Sequence, residues 1–104
     1  MKIIWQTNAK ASFQQIARYI KRYFGIKAKR NFAEEVLLQS NLLFQFPNMG
    51  KIDPLFDDRT DTYRSIIING LSKLVYRING DVINVVAFWD CRCEPNAQAR
   101  KVKS

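Results

Sequence analysis

Four cations, Arg64, Lys73, Arg77 and Arg92, stand within or just after three β-prone runs in the second half of the chain. Lys73, Val75 and Arg77 share one strand face by the period of two, which sets two positive groups side by side. Such a cluster suits phosphate, with arginine favoured where two oxygens are gripped at once. Arg64 alternates with Ile66 and Ile68, so its face is open between the sheet surface and its rim. A meander of the three runs gathers these groups near one concave surface, where they are catalytic if the chain is a nuclease and target-binding otherwise. Each cation alone is as readily a solvated surface group; the set carries the information. A nuclease also needs a proton acceptor within reach of the attacking hydroxyl. The chain has no histidine, which leaves Lys51, Asp57, Asp58, Asp61, Tyr63 and Tyr76. Asp90 reads as a structural partner for Arg92 or for a cation across the sheet. Cys91 and Cys93 are the only cysteines; that spacing strains a disulfide and falls short of a metal's ligand set, so free thiols, no metal and no cofactor are expected.

Seventeen Lys and Arg against nine Asp and Glu give a formal charge of +8 over 104 residues. An excess of one sign bears on partners and solubility, not on fold. It points to RNA, DNA, a ribosome or an acidic protein, against the plainer reading of a merely soluble basic surface. The length is that of one domain able to bury a core without disulfides. No run is long and apolar enough for a bilayer, and Met1-Lys2-Ile3-Ile4-Trp5-Gln6 lacks a signal peptide's apolar middle, so a cytoplasmic protein is expected.

Several elements must position these groups. Tyr63–Ile68, Lys73–Ile78 and Val82–Trp89 are rich in β-branched and aromatic residues, and Asn69-Gly70 and Asn79-Gly80 between them tolerate the positive φ of hairpin turns. They predict a three-strand antiparallel meander. In Val82–Trp89, Phe88 and Trp89 point to opposite faces, one into the core and the other open to a partner. Lys2–Gln6 predicts a further strand, at the edge or middle of the same sheet. Thr7 and Asn8 are candidate N-caps for a helix whose stripe is Phe13, Ile16, Ala17, Ile20 and Phe24, stopped by Gly25. A second helix carries Phe32, Ala33, Val36, Leu37, Ser40, Leu43 and Phe44 on one face and ends before Pro47. Leu38 and Leu42 widen that stripe toward the sheet or a bound partner. Residues 47–62 read as a loop, long enough to be functional. The whole is an α+β two-layer sandwich: an N-terminal strand, an antiparallel helical hairpin, then the meander. Residues 1–95 form one domain and 96–104 a flexible basic tail.

This ordered set resembles the RelE/ParE superfamily, the toxins of type II toxin–antitoxin modules. The resemblance rests on the early strand, the hairpin with Gly25, Phe46-Pro47-x-x-Gly50, Tyr63-Arg64-Ser65-Ile66, Lys73–Ile78, and the close Trp89-Asp90-x-Arg92-x-x-Pro95. It implies a toxin that arrests growth, contributes to plasmid stabilization and is silenced by a cognate antitoxin whose segment folds as it binds. Two mechanisms share the scaffold. ParE-like members inhibit DNA gyrase without catalytic residues; RelE-like members cut ribosome-bound mRNA with basic side chains on the sheet. Cys91, Arg92 and Cys93 stand where cleaving members carry a His-Tyr pair or a terminal Tyr, and no Tyr follows Tyr76, which favours gyrase. Ribosome-dependent mRNA cleavage is the alternative. A reading outside the family is a non-toxic basic nucleic-acid-binding domain.

Overall fold

A computed structural model describes residues 2–91 and Val102. The apolar spacing of the first half produces two long helices, α1 (Thr7–Phe24) and α2 (Ile26–Gln45), and Gly25 alone separates them. Gly25 has φ of 94° and nothing near the position of a Cβ, so its role is backbone conformation; its N–H closes α1 onto the Lys21 carbonyl. The N-cap differs from expectation. Gln6, with no side-chain capping bond, precedes α1, and Thr7 and Asn8 lie inside the helix.

Asn8 is used elsewhere. Strands β4 (Ser72–Asn79) and β5 (Val82–Asp90) pair antiparallel, but the register slips between Val75 and Tyr76, leaving Val86 as an extra residue in β5. A bulge residue leaves backbone groups outside the ladder, and Asn8 Nδ2 donates to the Val86 carbonyl at 3.0 Å. The first helical turn is thereby tied to the irregular point of the sheet.

The sheet runs β1-β5-β4-β3-β2, with β1 (Lys2–Trp5) on one edge parallel to β5, and β3 (Tyr63–Ile68) between β4 and the two-residue strand β2 (Lys51–Ile52). The meander is therefore as expected. The turns are Asn69-Gly70-Leu71, with positive φ at Asn69 and Gly70, and Gly80-Asp81; Asn79 itself belongs to β4 and pairs with Val82. The expected loop 47–62 is not featureless. It contains β2 and a 3-10 turn at Pro54–Phe56, capped by the Asp53 carboxylate, which accepts from Leu55 N–H at 3.0 Å.

Both sheet faces are buried, by different means. The helices cover Ile68, Leu74, Tyr76, Ile83, Val85 and Phe88 with Ala17, Phe32, Val36 and Leu43. Phe13 stacks on Phe32 at 5.5 Å and meets Phe88 edge-on at 5.7 Å. The opposite face carries Tyr63, Val75, Val86, Ala87 and Trp89 beneath Phe56 of the 3-10 turn and Val102. Phe88 and Trp89 thus do face opposite ways, but both are buried, so neither is an open contact. The helical stripes end sooner than their spacing suggests: Phe24 is 68% exposed, and Leu37 and Phe44 are exposed on α2. Of the basic tail, Val102 alone is described; its carbonyl accepts from Arg59 Nη1.

Candidate functional site

The alternation of β4 divides the expected cation set. Leu74, Tyr76 and Ile78 face the helices, and Lys73, Val75 and Arg77 face away. In β3, Ile66 and Ile68 face the helices and Arg64 shares their side. Arg64 and Arg77 nonetheless meet at one place, because the Arg64–Tyr76 and Tyr63–Arg77 pairs lie at the same end of the ladder. Both line a cleft of about 340 Å³ with Asn48, Asp61, Thr62 and Tyr76. Lys73 is not among its lining residues, and Arg92 and Cys93 lie outside the described residues. The concave surface expected to gather all four cations is therefore reduced, among the described residues, to two arginines at the end of the sheet.

Each of the three described cations already has protein partners. Arg64 Nη1 donates to the Gly50 carbonyl at 2.9 Å and reaches the Asn48 carbonyl at 3.3 Å, gripping the chain as it leaves α2. Arg77 Nη1 meets Asp61 Oδ2 at 2.8 Å. Lys73 Nζ lies 2.6 Å from Asp53 Oδ2 and 5.5 Å from the centre of the Trp89 ring. Asp53 and Asp61 were not legible as partners, since both sit in an aperiodic loop far from β4 in sequence. Asp53 before Pro54 does carry the signal of a capping residue, though not of an ion pair.

The proton-acceptor candidates are differently placed. Tyr76 Oη donates to the Pro47 carbonyl at 2.6 Å and accepts the Gly50 N–H at 3.0 Å. Burial raises its pKa above the ordinary 10.0, while the Gly50 hydrogen bond and the Arg64 charge pull it down. It is therefore no base at neutral pH. Tyr63 is 1% exposed and stacks on Phe56 at 4.8 Å. Asp58 pairs with Arg59 at 3.4 Å, and Lys51 and Asp57 are exposed.

The Tyr76 shift has a measurable sign. Above about pH 10 the unfolded phenol loses its proton first while the folded one keeps it, so this stability is complete below the unfolded pKa and fades as pH rises through the folded one. Urea midpoints at about pH 9 and about pH 11 should fall more steeply in the wild type than in Tyr76→Phe. Equal slopes would show that the phenol is not held neutral by burial.

Two exposed surfaces were only partly anticipated. Along α2, Leu37, Leu38, Phe44 and the following Phe46 are each about half exposed or more; Leu38 and its neighbours had suggested a partner. At the tip of the helical hairpin, Tyr19, Tyr23, Phe24 and Ile26 are also exposed. The signal for the tip is the interleaving of aromatic and basic residues around Gly25, which a core stripe at helical spacing does not report.

A five-stranded sheet backed by one helical hairpin, with two arginines lining a cleft at its end, defines a small α+β protein. The fold is shared with a solved structure: a chain described as a chromosomal ParDE toxin–antitoxin system from P. aeruginosa matches with TM-score 0.70 and 18% identity, over 86% of this chain and 95% of that one. The sequence profile of the ParE toxin of type II toxin–antitoxin systems, parDE, matches residues 3–94, and the chain belongs to that family. No curated protein sequence matches. Among the described residues no helix is long and apolar enough to cross a membrane.

Proposed function

We propose that this toxin arrests growth by binding and inhibiting DNA gyrase in the cytoplasm, using no catalytic residue of its own. The observation that carries the reading is the state of the sheet cations. Lys73 and Arg77 are each ion-paired, Arg64 Nη1 is held by two backbone carbonyls, and the Tyr76 hydroxyl beside them is saturated. A nuclease would need a cation and a proton acceptor both aimed at the scissile phosphate. The family match points the same way, because the resemblance to the ParE-like branch implies gyrase as target. On this reading Arg64, Arg77 and Arg92 are target contacts that bind without chemistry. Among the described residues Arg64 is bonded through Nη1 alone, and the Asp61 partner of Arg77 is 45% exposed, so both can turn to a target. Lys73, paired with buried Asp53, serves the fold.

The family implies a cognate antitoxin. We assign its folding segment to the apolar stripe Leu37, Leu38, Phe44 and Phe46, where helix-in-groove burial of such side chains would replace water. Paired assays separate the two targets. The purified toxin is expected to block supercoiling by gyrase, with antitoxin reversing the block, and to leave ribosome-bound mRNA intact. Message cut at defined A-site positions, with supercoiling unaffected, would establish the ribosome-dependent nuclease instead.

A further inference from the structure

Between Arg18 and Arg30 the chain holds six cations, Arg18, Lys21, Arg22, Lys27, Lys29 and Arg30, and no carboxylate. These thirteen residues make the last turns of α1, Gly25 and the first turn of α2, so the fold brings them together at one end of the helical hairpin. Among the described residues none of the six forms an ion pair. That contrasts with Lys73 and Arg77 in the sheet, whose charges are answered by neighbouring carboxylates. Much of the excess of +8 is therefore displayed here, away from the cleft.

The same tip exposes rings. Tyr19, Tyr23 and Phe24 are 49%, 61% and 68% exposed. Tyr19 lies 4.8 Å from Tyr23 and 6.4 Å from Phe24 between centroids, and the Arg22 guanidinium sits 5.6 Å over the Tyr23 ring. Exposing three aromatics beside one another is costly in water unless a partner covers them. Exposed π faces set among unpaired cations fit a flexible polyanion with flat hydrophobic units, since the phosphates meet Lys and Arg while bases stack on the rings.

We propose that the hairpin tip is a binding surface for single-stranded nucleic acid, with Lys21, Arg22 and Lys27 on the phosphates and Tyr19, Tyr23 and Phe24 stacking unpaired bases. Single strands are specified over duplex because only unpaired bases can offer their faces to these rings. The surface lies apart from the cleft and does not depend on gyrase being the target.

The test is fluorescence anisotropy of the purified toxin with a labelled oligo-dT of about 20 nucleotides. Three neutralised phosphates predict a log–log salt slope near about −2, a loss of about twentyfold in affinity from about 50 to 200 mM salt. Tyr19→Ala with Tyr23→Ala is expected to weaken binding at least about fivefold with the slope unchanged. Lys21→Gln, Arg22→Gln and Lys27→Gln together are expected to flatten the slope by about 2. All five side chains are exposed, so melting temperatures should hold and a folding defect is separable. Three results would overturn the proposal: no binding, binding that ignores every tip substitution, or tip-dependent binding to phosphatidylserine vesicles without binding to the oligonucleotide. Gyrase inhibition is measured on the same variants, so failure of the target assignment and failure of this surface are read independently.

Discussion

Lys73→Ala is expected to lower stability by about 3–5 kcal/mol, the cost of stranding one member of a buried ion pair. The stranded member is Asp53, whose side chain is 2% exposed, against 17% for Lys73. In a domain of this size the change corresponds to a fall in melting temperature of about 15 °C or more. Lost packing of the lysine stem on Trp89 contributes to the same number, and Lys73→Met separates the two effects. Methionine keeps an apolar chain over the ring but leaves Asp53 without its cation, so it should be nearly as damaging as alanine. Adding Asp53→Asn should recover most of the loss, because the amide oxygen can still cap Leu55 N–H while no unpaired charge remains. Thermal melts of the three variants decide the matter. If Lys73→Met melts within about 2 °C of wild type, the pair contributes nothing and Lys73 returns to the set of candidate target contacts.

That exchange of role marks the boundary of what sequence could convey. The period of two places Lys73 and Arg77 on one strand face correctly, and the β-branched runs with their Asn-Gly turns disclose the meander, because those signals are local. Ion pairing is not local. Asp53 and Asp61 reach β4 only because β2 pairs with β3 and carries the aperiodic loop across the sheet. A strand of two residues has no periodicity to detect, so neither β2 nor the partners it delivers could be foreseen. The helical stripes fail differently: Phe24 and Leu37 hold the right spacing, but the spacing does not say where the opposing surface ends. Asn8 looked like a cap because its type suits one, yet the bulge at Val86 offered it a carbonyl that only the assembled sheet contains. The resemblance to the RelE/ParE superfamily is untouched by these misses, since it rests on the order of elements, which local signals do report.

Gly50→Ala is expected to be nearly as destabilising as losing Lys73, although it adds a single methyl group. A Cβ at Gly50 would lie 2.7 Å from Tyr76 Oη, 2.9 Å from Tyr76 Cε1 and 3.0 Å from the Ser65 carbonyl oxygen. Gly50 is not among the positive-φ residues, so the demand is for space and not for backbone freedom. Relief requires the phenol to move, and its hydroxyl holds both the Pro47 carbonyl and the Gly50 N–H. Overpacking of about 1–3 kcal/mol is then joined by buried polar groups left unpaired, at about 1–3 kcal/mol each. Tyr76→Phe alone forfeits the same hydrogen bonds without the crowding. Once Tyr76→Phe has removed the hydroxyl, Gly50→Ala should therefore cost less than it does in the wild type, and the double variant should be more stable than the sum of the two losses. Additive losses in urea unfolding would mean that the methyl group meets the ring carbon Cε1 or the Ser65 backbone, which Phe leaves in place, and not the hydroxyl. Gly70→Ala, with open space and φ of 68°, is the control that pays only backbone strain. Since Arg64 grips the same Asn48–Gly50 segment, this junction fixes how α2 leaves the sheet. If the antitoxin lies along α2 as proposed, loosening this junction should weaken antitoxin binding as well as lower the melting temperature, whereas loss of Lys73 should affect only the latter.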